Sequence, residues 1–151
     1  MGQTRTEKII QRYAVGLEED QMIRSGQTVW LQPDHVLTHD NTAAVIPKFN
    51  DLGLMHIYNP NQPVIALDHN IQDRTKKNLS KYELIQSFAK TKGLTFFPAG
   101  RGIGHQIMVE EGFAFAGNFC VASDSHANMY GGIGCLGTPI VRSDAAGIWA
   151  T

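Results

Sequence analysis

The chain has 151 residues, 42% of them hydrophobic and 18% charged, with a formal net charge of −1. That is enough chain to bury the core of one domain. No apolar run is long enough to span a bilayer, and no clustered basic surface invites nucleic acid, so neither a membrane nor a nucleic-acid partner is expected.

The opening Met1-Gly2-Gln3-Thr4-Arg5-Thr6 formally fits an N-myristoylation pattern, one too short to outweigh an ordinary initiator Met-Gly. Thr4-Arg5-Thr6-Glu7 reads as a capping box, and Ile9, Ile10, Tyr13 and Ala14 follow at helical spacing. Thr28 to Leu31 is β-branched and aromatic and is stopped by Pro33, which predicts a short strand. Asn41 to Leu52 predicts a helix that Pro47 starts or kinks. Pro63 to Leu67 is a continuous apolar run, as expected of a strand buried on both faces.

A second capping box, Ser80-Lys81-Tyr82-Glu83, predicts the start of a helix with Leu84, Ile85, Phe88 and Ala89 as its stripe and Gly93 as its stop. Leu94–Phe97 reads as a strand, Gly104–Glu111 as a helix ended by Gly112, and Phe119–Ala122 as another buried strand. Thr138-Pro139 is expected to open a last helix bearing Val141, Ala145, Ile148 and Trp149. The alternation predicts an α/β fold: three α/β/α layers around a mostly parallel sheet, in a single domain over residues 1–151. The last helix runs to Thr151 without a cap, which reads as a domain cut in mid-element.

In such a sheet ligands bind outside the carboxyl ends of the strands. Those positions carry Asp68-His69, then the Gly100–Gln106 loop with His105, then Ser123-Asp124-Ser125-His126; the first strand is followed by His35, His39 and Asp40. A carboxylate on one imidazole nitrogen fixes the tautomer and raises the basicity of the other, so Asp–His pairs suit proton transfer near neutral pH. One such pair is common in loops, whereas three at three strand ends imply a site. His56 fits none of these positions and is read as structural.

Gly132-Ile133-Gly134-Cys135-Leu136-Gly137 is formally a GxGxxG, but residues 124–131 separate it from the strand, so it is read as a place of close backbone approach. Cys120 and Cys135 form no CxxC pair and read as free thiols in a reducing compartment.

Thr6-Glu7-Lys8-Ile9, His39-Asp40-Asn41, Leu67-Asp68-His69, Pro98 to Gln106, Ala122 to His126 and Tyr130 to Trp149 keep the order of a known pattern. Together they resemble the N-terminal domain of the aconitase superfamily, nearest to its fungal homoaconitase branch. The resemblance implies a hydro-lyase that hydrates cis-homoaconitate to homoisocitrate at a [4Fe–4S] cluster in lysine biosynthesis. It implies that Asp68 and His69 assist departure of the hydroxyl, and that His105 and Asp124 form a second acid–base pair. Ser125 and His126 would face the cluster and its water, and His39 the substrate.

The family's cluster cysteines, its substrate-binding arginines and its serine base lie outside this sequence, so the chain alone is expected to bind no metal or cluster and to be inactive. The implied partners are a small tricarboxylic acid and the remaining domains of the parent, with self-association through Ile103, Met129 and Ile133 when that face is open. The implied location is the mitochondrial matrix, or otherwise the cytoplasm. The competing readings are a stand-alone assembly module, another dehydratase of the superfamily, and a mononuclear metal hydrolase using His69, His105 and His126.

Overall fold

Thr4 opens the first helix as its spacing predicts: its hydroxyl accepts the Glu7 N–H at 3.2 Å, and Glu7 Oε2 accepts the Thr4 N–H at 2.7 Å. In the computed structural model, which describes residues 2–151, this helix (α1, Arg5–Tyr13) buries Ile9 and sets the Tyr13 ring against Phe119. The Met1 end of the acylation pattern lies outside the described residues.

The predicted strand at Thr28–Leu31 shrinks to Trp30–Leu31 (β2) and never joins the main sheet. It pairs antiparallel with Ala14–Val15 (β1), Val15 opposite Trp30, in a separate ribbon. The strand that opens the main sheet is His35–Thr38 (β3), which has only two apolar residues between histidines and was not expected. Thr38 can be fully buried there because its hydroxyl accepts from Thr42 Oγ1 at 2.7 Å.

From β3 the chain passes through α2 (Thr42–Asp51), β4 (Pro63–Ala66), α3 (Lys76–Lys92), β5 (Thr95–Phe97), α4 (Gly104–Glu110), β6 (Phe119–Ala122), a 3-10 helix (Ala127–Ile133), β7 (Leu136–Pro139) and α5 (Arg142–Ala150). The sheet is all parallel in the order β5-β4-β3-β6-β7, with Leu37 opposite both Val64 and Ala122. Alternate residues feed two cores. Val36, Ile65 and Val121 pack with Val45, Phe49, Ile85 and Trp149 of α2, α3 and α5. Leu37, Val64, Ala66 and Ala122 pack with Ile107 and Met108 of α4 and Tyr130 of the 3-10 helix. This is the expected three-layer α/β/α fold. Among the described residues, no helix is long and apolar enough to cross a membrane.

Two helix starts differ from expectation. α3 begins a turn early, at Thr75, whose hydroxyl accepts the Asn78 N–H at 3.3 Å, so Ser80 lies inside the helix; Gly93 closes it as predicted, at φ 68°. Thr138-Pro139 ends edge strand β7 instead of opening a helix, and α5 starts at Arg142. Proline suits an edge strand, where its missing N–H faces no neighbour.

Candidate active site

The chain enters the sheet at its centre, winds outward through β4 and β5, then returns to the other side of β3 for β6 and β7. The connections therefore diverge between β3 and β6, and a crevice opens beyond their carboxyl ends. His39-Asp40 leaves β3 there and Ser123-Asp124 leaves β6. Asp68-His69 leaves β4 beside them, and His105 stands at the start of α4.

These side chains converge on Asp124. Its Oδ1 lies 2.9 Å from His105 Nε2 and 3.1 Å from His126 Nδ1, and accepts the His126 N–H at 2.8 Å. Its Oδ2 lies 3.5 Å from His69 Nε2 and 3.8 Å from His39 Nε2. Burial alone would raise the Asp124 pKa, but the hydrogen bonds from His105 and His126 outweigh it and hold the carboxyl far below the ordinary range. One fixed anion thus organises four imidazoles.

Asp40 is the frame of the neighbouring loop. Its buried carboxylate accepts the N–H groups of Asp68, His69 and Asn70 at 3.0, 2.9 and 3.2 Å, together with the Tyr82 hydroxyl. Those bonds overcome its desolvation and lower its pKa to about 2. The loop so held sets Asp68 Oδ1 2.5 Å from His69 Nδ1, while Asp68 Oδ2 accepts the Gly104 N–H at 2.6 Å. Partial burial disfavours the His69 cation, yet the bonded Asp68 carboxylate prevails and raises the His69 pKa. That arrangement suits a ring that could exchange a proton through Nε2.

His105 is held at both ring nitrogens, Nδ1 lying 2.7 Å from the Tyr130 hydroxyl. Asn41 links the two central strand ends, donating to Ser123 O at 2.6 Å and accepting the His39 N–H at 3.2 Å. Tyr130 and Asn41 were not expected in the site. Asn41 follows His39-Asp40 directly and was legible in principle; Tyr130 reaches His105 only because the 3-10 helix packs beneath it. Ser125 and His126 are exposed at the mouth. His35, grouped with His39 by sequence, sits at the opposite end of β3 with its ring edge against Phe113. His56 is exposed in a loop away from these residues.

Two clefts meet at Asp124. One, of about 790 Å³, runs past His39, Ser123 and Ser125 to the start of α5. The other, of about 580 Å³, is lined by Asp68, His69, His105, His126, Ile103 and Met129.

The residues do not fit an iron–sulfur cluster. Cys120 pairs with His35 at the far end of β3, its thiol donating to Phe113 O at 3.2 Å, and Cys135 is buried against the same side of the sheet. No thiolate faces the crevice among the described residues. Nor do His69, His105 and His126 form one ligand set: His69 groups with His39, Asp40 and Asp68, and His105 with Asp124 and His126. The mononuclear hydrolase reading requires those three histidines around one ion, and they are divided between two groups.

A profile of the aconitase family (aconitate hydratase) matches residues 7–151. The chain is 60% identical over 149 residues to the mitochondrial homoaconitase of Cryptococcus neoformans var. neoformans serotype D (strain JEC21), covering 99% of this chain and 20% of that protein. It is 60% identical over 145 residues to that of Mycosarcoma maydis, covering 96% and 20%. It is 58% identical over 149 residues to that of Yarrowia lipolytica (strain CLIB 122 / E 150), covering 99% and 22%. The chain spans about a fifth of the length of these relatives.

Proposed function

The chain belongs to the aconitase family, and from that premise we propose that it is the N-terminal α/β domain of a homoaconitase-type hydro-lyase. The reaction is the reversible hydration of cis-homoaconitate to homoisocitrate in lysine biosynthesis, in the mitochondrial matrix. The observation that carries the reading is the convergence of Asp68–His69 and His105–Asp124 on one crevice at the switch point of the sheet.

The [4Fe–4S] cluster of such an enzyme is held by cysteines beyond this chain, in the domains that complete the site. What this chain supplies is proton management. As the substrate C–O bond breaks, its electron pair stays on oxygen, and His69 Nε2 delivers the proton that turns the leaving hydroxide into water. Asp68 holds the proton on Nδ1 and stabilises the imidazolium beforehand. The carbon-bound proton goes to a base outside these residues. His105, fixed between Tyr130 and Asp124, keeps Asp124 ionised and provides a second relay for the water. His39 contacts substrate, while Ser125 and His126 face the cluster side from the mouth.

The test is His69→Gln in the complete enzyme. Loss of an aligned acid costs about 10²–10⁴-fold in kcat, and Asp68→Asn follows it in direction. Unchanged turnover in His69→Gln removes the assignment. The 151-residue chain by itself is expected to give neither cluster absorbance after anaerobic reconstitution nor turnover, and both together would overturn the division of labour.

A further inference from the structure

The larger cleft leads away from the Asp–His cluster to two cations that the proton chemistry does not use. Lys48 projects from the last turn of α2 and Arg142 is the first residue of α5; both are exposed and both line the cleft. Neither has an ion pair or a side-chain hydrogen bond among the described residues. Asp144, the acid on the same rim, is turned back onto the Val141 N–H at 3.4 Å. The cleft is therefore polarised, lined by the fixed anion of Asp124 and by the two unpaired cations. Asn41, Ser123 and Ser125 line the same cleft.

An acid carrying several carboxylates cannot place one against Asp124 without repulsion, whereas a hydroxyl suits that end. It can place a carboxylate against Arg142, whose planar fork binds that group bidentately, with Lys48 adding a point charge. We propose that Arg142 and Lys48 form a subsite for a substrate carboxylate remote from the reacting carbons, and so favour a tricarboxylate over the acid that lacks that group. The proposal rests on the hydro-lyase reading for the orientation of the acid, but the binding it describes is separable from it.

The test is calorimetric titration of the chain with butane-1,2,4-tricarboxylate and with ethylsuccinate, which lacks the third carboxylate, while imidazole resonances are followed by NMR. Arg142→Ala is expected to weaken the tricarboxylate about tenfold, Lys48→Ala by less, and Arg142→Lys to an intermediate degree, with ethylsuccinate unaffected. Both side chains are exposed, so the fold is retained, and unchanged circular dichroism checks this. Equal tricarboxylate binding by wild type and Arg142→Ala overturns the subsite, as does absence of millimolar binding to the wild type. Phosphate competing as well as the tricarboxylate also overturns it, leaving an unselective anion patch. A loss of affinity in Arg142→Ala with no response of the His69 and His39 resonances to the acid supports the subsite while sinking the hydro-lyase reading.

Discussion

His39 and His69 stack face to face, ring centroids 3.9 Å apart and planes 17° from parallel, with both Nε2 atoms turned toward Asp124 Oδ2. Two imidazolium ions do not share that separation comfortably, and the surroundings decide which ring takes the proton. Burial, then the neighbouring His69, lowers the His39 pKa. His69 has Asp68 on its Nδ1, and that carboxylate overcomes the desolvation of its ring.

NMR titration is therefore expected to show His69 protonating at higher pH than His39. Asp68→Asn removes the main charge that favours the His69 cation, so its pKa is expected to fall from its raised position. Persistence of a raised His69 pKa in Asp68→Asn would place the cause elsewhere than in this pair.

Asp40 makes an acid-dependent contribution to folding. Its pKa falls from 3.8 to about 2 on folding, so the folded state binds fewer protons and the contribution is complete above the ordinary value. It is lost as pH falls through about 2, and the shift corresponds to about 2 kcal/mol. Asp40→Ala removes it at neutral pH and leaves the Asp68, His69 and Asn70 N–H groups without their acceptor, for a total loss of about 3 kcal/mol. Urea unfolding at pH 7 and below pH 3 measures it: wild type and variant should converge toward low pH, and a constant gap between them would refute the linkage.

Much of this architecture was legible in the sequence because burial on both faces leaves unbroken apolar runs. Pro63–Ala66 and Phe119–Ala122 are such runs, and both are strands with every residue buried. Asp68, His69 and Asp124 were legible as candidates because they sit just after these runs. The central strand was not, since His35–Thr38 carries Thr38 into the core on a hydroxyl-to-hydroxyl bond that no hydropathy pattern reports. Asp40 stood out in sequence only as the neighbour of His39; its grip on residues 68–70 depends on β3 and β4 lying side by side. Tyr130 was hidden for a similar reason: its place depends on how a glycine-rich segment folds back.

That segment folds back through one close backbone approach. A Cβ at Gly137 would lie 2.0 Å from Ala127 O and 3.0 Å from Tyr130 Cδ2, so the glycine is what lets the 3-10 helix lie against β7. The obstacle is backbone, which cannot swing aside as a side-chain tip does. Gly137→Ala is expected to cost about 3 kcal/mol or more and to shift the His105 resonance, because Tyr130 moves with the helix. Gly132→Ala, with open space around it, serves as the control and should stay within about 1 kcal/mol of wild type. Equal stability of the two variants would show that the close approach is not what seats the helix.

The face around His105 is open and partly apolar. Ile103 is 66% exposed and Met129 55%, and both line the cleft that holds Asp68, His105 and Asp124; Ile133, 39% exposed, ends the same 3-10 helix. Apolar side chains this open around a polar crevice mark a surface that another protein surface covers. In the proposed parent that cover is the remaining domains; for the isolated chain the available cover is a second copy. Sedimentation should therefore show an average mass that rises with concentration. Replacing both side chains together, Ile103→Glu with Met129→Glu, should hold the chain monomeric by adding charge to the face, with little loss of stability because both groups are already in water. Lys8→Glu, on exposed α1 away from this cleft, should leave association unchanged. A wild-type mass that stays monomeric at every concentration would show that the open patch does not drive self-association, and would leave contact with other domains as its only proposed use.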